Sequence, residues 1–180
     1  RLKAAADFTV YTPGSHAGEP VSVLKSFTPP PPAILGEPDL FRDCIQTTAT
    51  GILALLGIEA DPITSREHIL IAKILEAVWS ESRSLDIASL IHAIQTPPFQ
   101  RIGVMDLEMF YPAKERFALA MRLNNLLASP GFESWMEGSP LNIGQMLYTA
   151  QGKPRASIFT ISHLSDTERM FFVSMLLNEI

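Results

Sequence analysis

The sequence has little cysteine, few charged residues and no long apolar run, and each shortage excludes a class of protein. One cysteine, Cys44, among 180 residues excludes an internal disulfide and a zinc site with several cysteine ligands. Charged residues make up 18% of the chain, against about 25% in a typical domain, and hydrophobic residues 47%. Polar residues, glycine or proline interrupt every apolar stretch before about 18 residues, so no membrane span is predicted. The composition predicts a soluble, folded domain with an unusually apolar core.

Positive charge is also scarce. There are 14 lysine and arginine residues against 19 aspartate and glutamate residues, which gives a net charge of −5. The basic residues form no cluster of the kind that binds nucleic acid, and the acidic balance argues against direct DNA contact by these residues. Cys44 lies on an apolar helical pattern and is expected to be a buried, inert thiol. With no recognisable signal peptide, we expect a reducing, cytoplasmic environment.

Apolar residues recur at helical spacing over most of the chain. The pattern predicts helices at about 39–56, 64–83, 84–94 and 112–128, followed by two short helices around 132–136 and 141–147. Gly57 is expected to end the first helix. Thr64 with Glu67 is expected to form a capping box that begins the second. His68 then lies in the first turn, where its ring would cap the helix or stay solvated.

The helix at 112–128 is predicted to bury one apolar face and to expose its charges. The residues expected in the core are Phe117, Ala120, Met121 and Leu127, and those expected in solvent are Lys114, Glu115 and Arg122.

Two segments are predicted to be strands, at about 7–12 and 155–162. The second has little polar alternation, which is typical of a strand in a buried sheet. Prolines 29–32 predict an extended connector. The fold class is therefore mainly α, a helical bundle-like domain with one or two strands. We divide it into residues 1–37 (strand and proline-rich connector), 38–151 (helical domain) and 152–180 (strand and following helix).

The last helix is predicted to begin at a second capping box, Ser165 with Glu168. From Met170 onward it is apolar on nearly every face, so we expect it to be buried on all sides. It has no stop signal, and the chain begins with arginine. We therefore expect an internal piece of a larger protein, whose apolar faces are exposed or self-associated when the piece is alone.

No self-contained active site is evident. A phosphate loop of the G-x-x-x-x-G-K-[ST] type is absent, and the turn in YTPGSHAGEP is a poor phosphate cradle because proline interrupts it. The histidines do not pair at metal-ligand spacing, so no metal site is predicted. His163, with Ser162, follows strand 155–162 at its carboxyl end, where ligands bind in open α/β sheets. A hydrolase using Ser162 and His163 with an unidentified acid is the weakest alternative.

Three segments carry a family resemblance: YTPGSHAG, LNNLLASPGF and SIFTISHLSDTERMFF. Together with the segments around them, they resemble the interior of a HerA/FtsK-class P-loop ATPase, a bacterial HerA-like helicase protein with a helical insertion. The resemblance places the Walker A loop upstream of this chain and the Walker B strand downstream, so the strands would be left over from a RecA-like core. It assigns no catalytic, nucleotide-binding or metal-binding residue here, and makes Ser162 and His163 near-site candidates only.

The resemblance also implies partners. The full-length protein would bind ATP and Mg²⁺, hydrolyse ATP and move on DNA as a homo-oligomeric ring, with no membrane. This chain would be an accessory segment that packs against the rest of its ATPase domain and is inactive alone. The alternative is a freestanding helical protein–protein interaction module that recruits its partner through apolar faces.

Overall fold

In the computed structural model, residues 5–24 and 27–179 are described, and about half of them are helical. The helices are α1 (Pro32–Leu35), α2 (Pro38–Leu55), α3 (Arg66–Trp79), α4 (Ile87–Gln95), α5 (Leu107–Phe110), α6 (Ala113–Ala128), α7 (Ile143–Leu147) and α8 (Asp166–Glu179), with a 3-10 turn at Phe132–Trp135. The strands are β1 (Asp7–Tyr11), β2 (Val21–Ser22), β3 (Arg101–Ile102), β4 (Met105–Asp106), β5 (Ser139–Pro140) and β6 (Arg155–Phe159). The mainly α prediction is confirmed at this level.

The helical core is built around α2, which packs against both α3 and α8, while α4 packs against α6. Gly57 ends α2 as predicted. Its φ is +64°, its amide donates to the carbonyl of Ala54, and the amide of Ile58 donates to the carbonyl of Leu53. This pair of bonds satisfies carbonyls that the helix end leaves free, and the left-handed conformation explains why glycine stands there.

The predicted capping box at the start of α3 is wrong. The helix begins at Arg66, and the Asp61 carboxylate accepts hydrogen bonds from the amides of Ile63 and Thr64 and from the Thr64 hydroxyl. The backbone amide of Asp61 in turn donates to the Ser65 hydroxyl oxygen. Because the Thr64 backbone amide already donates to Asp61, it is not available to the Glu67 carboxylate, and the turn before the helix is closed by a different set of bonds from the one the spacing suggested.

The predicted buried face of α6 is also wrong at two positions. Phe117 is 53% exposed and Met121 is exposed, whereas Arg116 is only 5% exposed and lies in the core beside Leu119. The Arg116 guanidinium donates to the Tyr111 carbonyl at 2.6 Å and to the Glu108 carboxylate at 2.7 Å. A charged residue can occupy this buried position because these partners replace much of its water.

The strands form three two-stranded pairs within the described residues, namely β1–β6, β2–β5 and β3–β4. The strand predicted at 155–162 ends earlier, at Phe159, and the one at 7–12 ends at Tyr11. These pairs do not make up a RecA-like core in the part of the chain that the structure describes. The β1–β6 pair is parallel, with Asp7 opposite Arg155 and Tyr11 opposite Phe159.

The capping box at the start of α8 is confirmed. The Glu168 carboxylate accepts from the Ser165 amide at 2.8 Å, and the Glu168 amide donates to the Ser165 hydroxyl at 3.3 Å. Burial of α8 on all sides is not observed: Phe171 and Phe172 are buried, but Met170 and Leu177 are exposed.

The proline connector is extended only as far as Pro31, because α1 begins at Pro32. The predicted division at residues 37 and 151 stays a prediction, although α8 of the last unit packs directly on α2 of the helical domain. Among the described residues, none of the helices combines the length and apolarity needed to cross a membrane.

Candidate functional site

The carboxyl ends of β1 and β6 lie side by side, and the sequence candidates Ser162 and His163 are found there. The amide of Thr160 donates to the carbonyl of Tyr11 at 2.9 Å, which continues the parallel register just beyond the strands. The segment after β1 and the segment after β6 therefore leave the sheet at the same edge. In open α/β folds, this is the edge at which ligands bind.

The ring of His163 joins these two segments. Its Nε2 lies 2.8 Å from the carbonyl oxygen of Pro13, and because a carbonyl only accepts, Nε2 carries the proton. Ser162 is exposed and forms no side-chain hydrogen bond with any described residue. Because Nε2 donates to Pro13, that nitrogen cannot act as a base toward a serine. The nearby Ser165 is not available as a nucleophile either, because its hydroxyl is bonded to Glu168 in the capping box. The arrangement gives no support to a hydrolytic site.

The turn after β1 is held by Thr12, a residue that sequence reasoning missed. The buried Thr12 hydroxyl donates to the carbonyl of Ser15 and accepts from the amide of Gly18, both at 2.9 Å. The amides of Ser15 and Ala17 are likewise bonded inside the turn. Since a phosphate cradle needs several free amides that converge on the ligand, this turn does not fit the phosphates of ATP.

Gly14 allows this turn to pack against the 3-10 segment. Its φ is +66°, and a Cβ atom at this position would lie 2.7 Å from Nε1 of Trp135. Both the left-handed conformation and the missing side chain are therefore required. In the sequence, a glycine two residues after a threonine predicts a turn only weakly. It does not predict the contact of Gly14 with Trp135, which lies 121 positions later.

The β1–β6 pair has one covered face and one open face. On the covered face, Tyr11 stacks on Phe159 with ring centroids 5.3 Å apart, and Phe159 contacts Phe172 of α8. On the open face, Phe8, Val10 and Ile158 are 49%, 45% and 48% exposed, and Val10 stands directly opposite Ile158. Parallel strands are normally covered on both faces, so this apolar face is the unusual feature of the pair.

The opposite, amino-terminal edge of the pair carries the charges. Arg155 donates from Nε to the Asp7 carboxylate at 2.8 Å and from Nη1 to the carbonyl of Gln145 at 3.0 Å. The hydrogen bond from Arg155 lowers the pKa of the Asp7 carboxyl. This ion pair fixes the start of the parallel register.

A buried titratable group lies away from the sheet. His68 is almost fully buried, in contrast to the predicted capping or solvated ring, and its Nε2 lies 3.0 Å from the Thr50 hydroxyl and 3.3 Å from the Gln46 carbonyl. Its Nδ1 has no hydrogen-bond partner within residues 5–24 and 27–179. Burial lowers the pKa of the His68 ring, against smaller opposing effects of Gln46 and Asp61.

Across the described ranges, no three histidine, cysteine, aspartate or glutamate side chains come together as a group that could hold a metal ion. Comparison of this chain with protein-family models, with curated proteins and with solved structures gives no match.

Proposed function

We propose that this chain is a helical accessory unit of a HerA-like, ATP-driven DNA translocase, attached through β1 and β6 to a larger parallel sheet. The observation that carries the proposal is the parallel β1–β6 pair with its open apolar face. Residues 12–154, which hold most of the helices, lie between the two strands. This is the arrangement of a helical insertion between two strands of one sheet.

The open face gives the proposal its physical basis. Phe8, Val10 and Ile158 are each about half exposed on one side of the strand pair. Leaving this apolar surface in water is unfavourable by roughly 25 cal/mol per Å². A helix from the remainder of an ATPase domain would cover it, as helices cover both faces of parallel sheets.

In this proposal the chain contributes no catalytic residue. The closed turn after β1 does not offer free amides to a nucleotide, so ATP and Mg²⁺ would be bound by other parts of the protein. DNA and neighbouring subunits of a ring would likewise be partners of the whole protein. Ser162 and His163 would lie at the sheet edge near the nucleotide, where His163 holds the turn through Pro13.

The decisive experiment is to determine the coding sequence on both sides of this chain. We expect a G-x-x-x-x-G-K-[ST] loop upstream and an apolar strand ending in Asp-Glu downstream. The protein that includes both should hydrolyse ATP in a DNA-dependent manner. A start codon directly before Arg1 with a stop codon directly after Ile180 would contradict the proposal.

A variant pair tests the open face in that longer protein. Ile158→Glu should abolish DNA-stimulated ATP hydrolysis, because it places a charge in the proposed contact. Val104→Glu is the matched control, since Val104 is 96% exposed in the β3–β4 hairpin and should tolerate the charge. Equal activity of both variants would show that the face does not pack on an ATPase domain.

A second candidate function is a freestanding helical interaction module. The specific observation in its favour is on α6, where Phe117 and Met121 are exposed one helical turn apart. Under this alternative, Phe117→Ser would abolish binding of a protein partner, and Ile158→Glu would leave it unchanged. The coding sequence discriminates the two candidates before any binding assay.

A further inference from the structure

A cavity of about 420 Å³ lies away from the β1–β6 pair, where the proline connector, α2 and the end of α8 meet. Its volume is at the lower end of the range of roughly 300–1,000 Å³ found for small-molecule sites. Most of its walls are apolar and are formed by Val23, Phe27, Pro30, Trp79, Leu141 and Met175. The predicted connector is therefore also part of the wall of a cavity.

The apolar walls are well ordered by packing. Phe27, Trp79 and Met175 are all buried, and Nε1 of Trp79 donates to the carbonyl of Phe27 at 3.2 Å. This bond fixes the tryptophan ring beside the connector. A rigid apolar wall favours an apolar ligand body, and the Trp79 ring needs no polar partner from the ligand because its N–H is already bonded.

Two polar residues give the cavity its specificity. Ser22 lines it and is buried, and its hydroxyl has no hydrogen-bond partner in the described ranges. Glu179 lines the cavity as an exposed residue, where its carboxylate accepts a hydrogen bond from the Thr28 hydroxyl at 3.3 Å. None of the described residues forms an ion pair with Glu179.

We propose that this cavity binds a small organic amine, with its apolar body against Phe27, Trp79 and Met175 and its ammonium group paired with Glu179. The ammonium group would supply a cationic partner, which the carboxylate does not have among the described residues, and a charge-assisted hydrogen bond is stronger than a neutral one. A ligand group that accepts the Ser22 hydroxyl proton would add a second bond. The inference rests on the cavity alone and is independent of the proposed place of the chain in a translocase.

The test uses the 180-residue protein and three probes of one size. 2-Phenylethylamine, 2-phenylethanol and 3-phenylpropionate share a phenyl ring and differ in having a positive, neutral or negative end. By titration calorimetry we expect the amine to bind about tenfold more tightly than the alcohol, the worth of one charge-assisted hydrogen bond. The carboxylate should bind most weakly, because Glu179 repels it.

Cys44 supplies a second measurement, because this single thiol also lines the cavity. It is half-buried rather than fully buried as expected from its helical pattern, and burial beside Asp43 raises the pKa of the thiol. Its reaction with a thiol reagent should therefore slow when 2-phenylethylamine is bound. Protection of Cys44 by the amine would locate the probe in this cavity.

Glu179→Gln should reduce the affinity for the amine to that for the alcohol, about a tenfold loss, without changing the affinity for the alcohol. Glu59→Gln is the control, an exposed glutamate that does not line the cavity. Leu141→Trp, which fills the cavity, should abolish binding of both probes. Failure of the amine to bind at about 1 mM would overturn the proposal. So would a result in which the amine binds no more tightly than the alcohol, both to the parent protein and to Glu179→Gln.

Discussion

His163 and Pro13 are 150 positions apart, and the ring Nε2 of the first donates a hydrogen bond of 2.8 Å to the carbonyl oxygen of the second. The bond joins the segment after β6 to the turn after β1 at the carboxyl edge of a parallel strand pair. It gives His163 a structural role that differs from the one expected of a catalytic base. The consequences for stability can be measured directly.

We predict that His163→Ala lowers the free energy of unfolding by about 1 kcal/mol, because one hydrogen bond between two segments is lost. Hydrogen exchange should become faster at the bonded amides of the turn, those of Thr12, Ser15, Ala17 and Gly18. Ser162→Ala is the control and should change neither quantity, since Ser162 is exposed without a bonded partner in the described chain. Equal effects of the two substitutions would show that the His163 bond does not hold the turn.

Gly14→Ala is predicted to destabilise the protein by about 2–4 kcal/mol. The alanine would need a left-handed backbone and would place its Cβ 2.7 Å from Nε1 of the buried Trp135. Gly57→Ala is a matched control with φ of +64° and no neighbouring atom within 4 Å. It should cost only the backbone part, about 1 kcal/mol. Denaturant unfolding of both variants separates strain from steric overlap, and equal losses would argue against the contact with Trp135.

Hydrophobicity alone predicts that Phe117→Ala destabilises the protein more than Arg116→Ala. The structure predicts the opposite order. Arg116→Ala should cost about 3 kcal/mol, because it removes a buried guanidinium and leaves the Tyr111 carbonyl without its partner. Phe117→Ala should change the free energy of unfolding by about 0.5 kcal/mol or less, since the ring is half exposed. Urea unfolding of the two variants measures both values. A larger cost for Phe117→Ala would mean that α6 presents the other face to the core.

His68 should make stability depend on pH. Burial lowers the pKa of its ring in the folded state below the usual histidine value of about 6.5, so the unfolded chain binds the proton more readily. The contribution of His68 to the free energy of unfolding is therefore fully present above about pH 6.5. It is lost as the pH falls from there through the lowered pKa of the folded state. Gln46, Asp61 and Thr50 are the neighbours that bear on the ring.

The measurement is the free energy of unfolding at pH 7.5 and at pH 5.5, for the parent and for His68→Gln. The parent should lose stability between these two values, and His68→Gln should lose less. His92→Gln, at an exposed histidine, is the control and should behave like the parent. An unchanged pH dependence in His68→Gln would contradict the assigned origin of the effect.

Two signals that act within a few residues were predicted correctly. The Gly57 helix end and the Ser165–Glu168 capping box each depend on one short segment, and both are present. The start of α3 was predicted wrongly because the Asp61 carboxylate, three residues before Thr64, accepts from the Thr64 backbone amide, which the Glu67 carboxylate would have accepted from in a capping box. Competition between two local acceptors is decided by geometry that the spacing alone does not contain.

Features that depend on distant partners could not be predicted. Hydrophobic periodicity assigned α6 correctly and its orientation incorrectly, although the partners of Arg116, Tyr111 and Glu108, are only five and eight residues away, because a hydrophobicity pattern does not count a paired arginine as a core residue. The bond between His163 and Pro13 and the cavity at Glu179 likewise need residues more than 100 positions apart. The sequence predicts that His163 lies at a strand end. It does not predict the partner, Pro13, which is brought beside His163 by the parallel pairing of β1 with β6.

The parallel pairing of β1 with β6 also determines an order of folding. The two strands can meet only when residues 12–154 form a closed loop. The entropy lost in closing this loop is offset by the packing of the helices within it, so we expect the helices to pack before the strands pair. During synthesis, β1 leaves the ribosome long before β6 exists. Phe8 and Val10 on one face of the unpaired strand and Tyr11 on the other then face water, and the nascent chain is exposed to aggregation until β6 arrives.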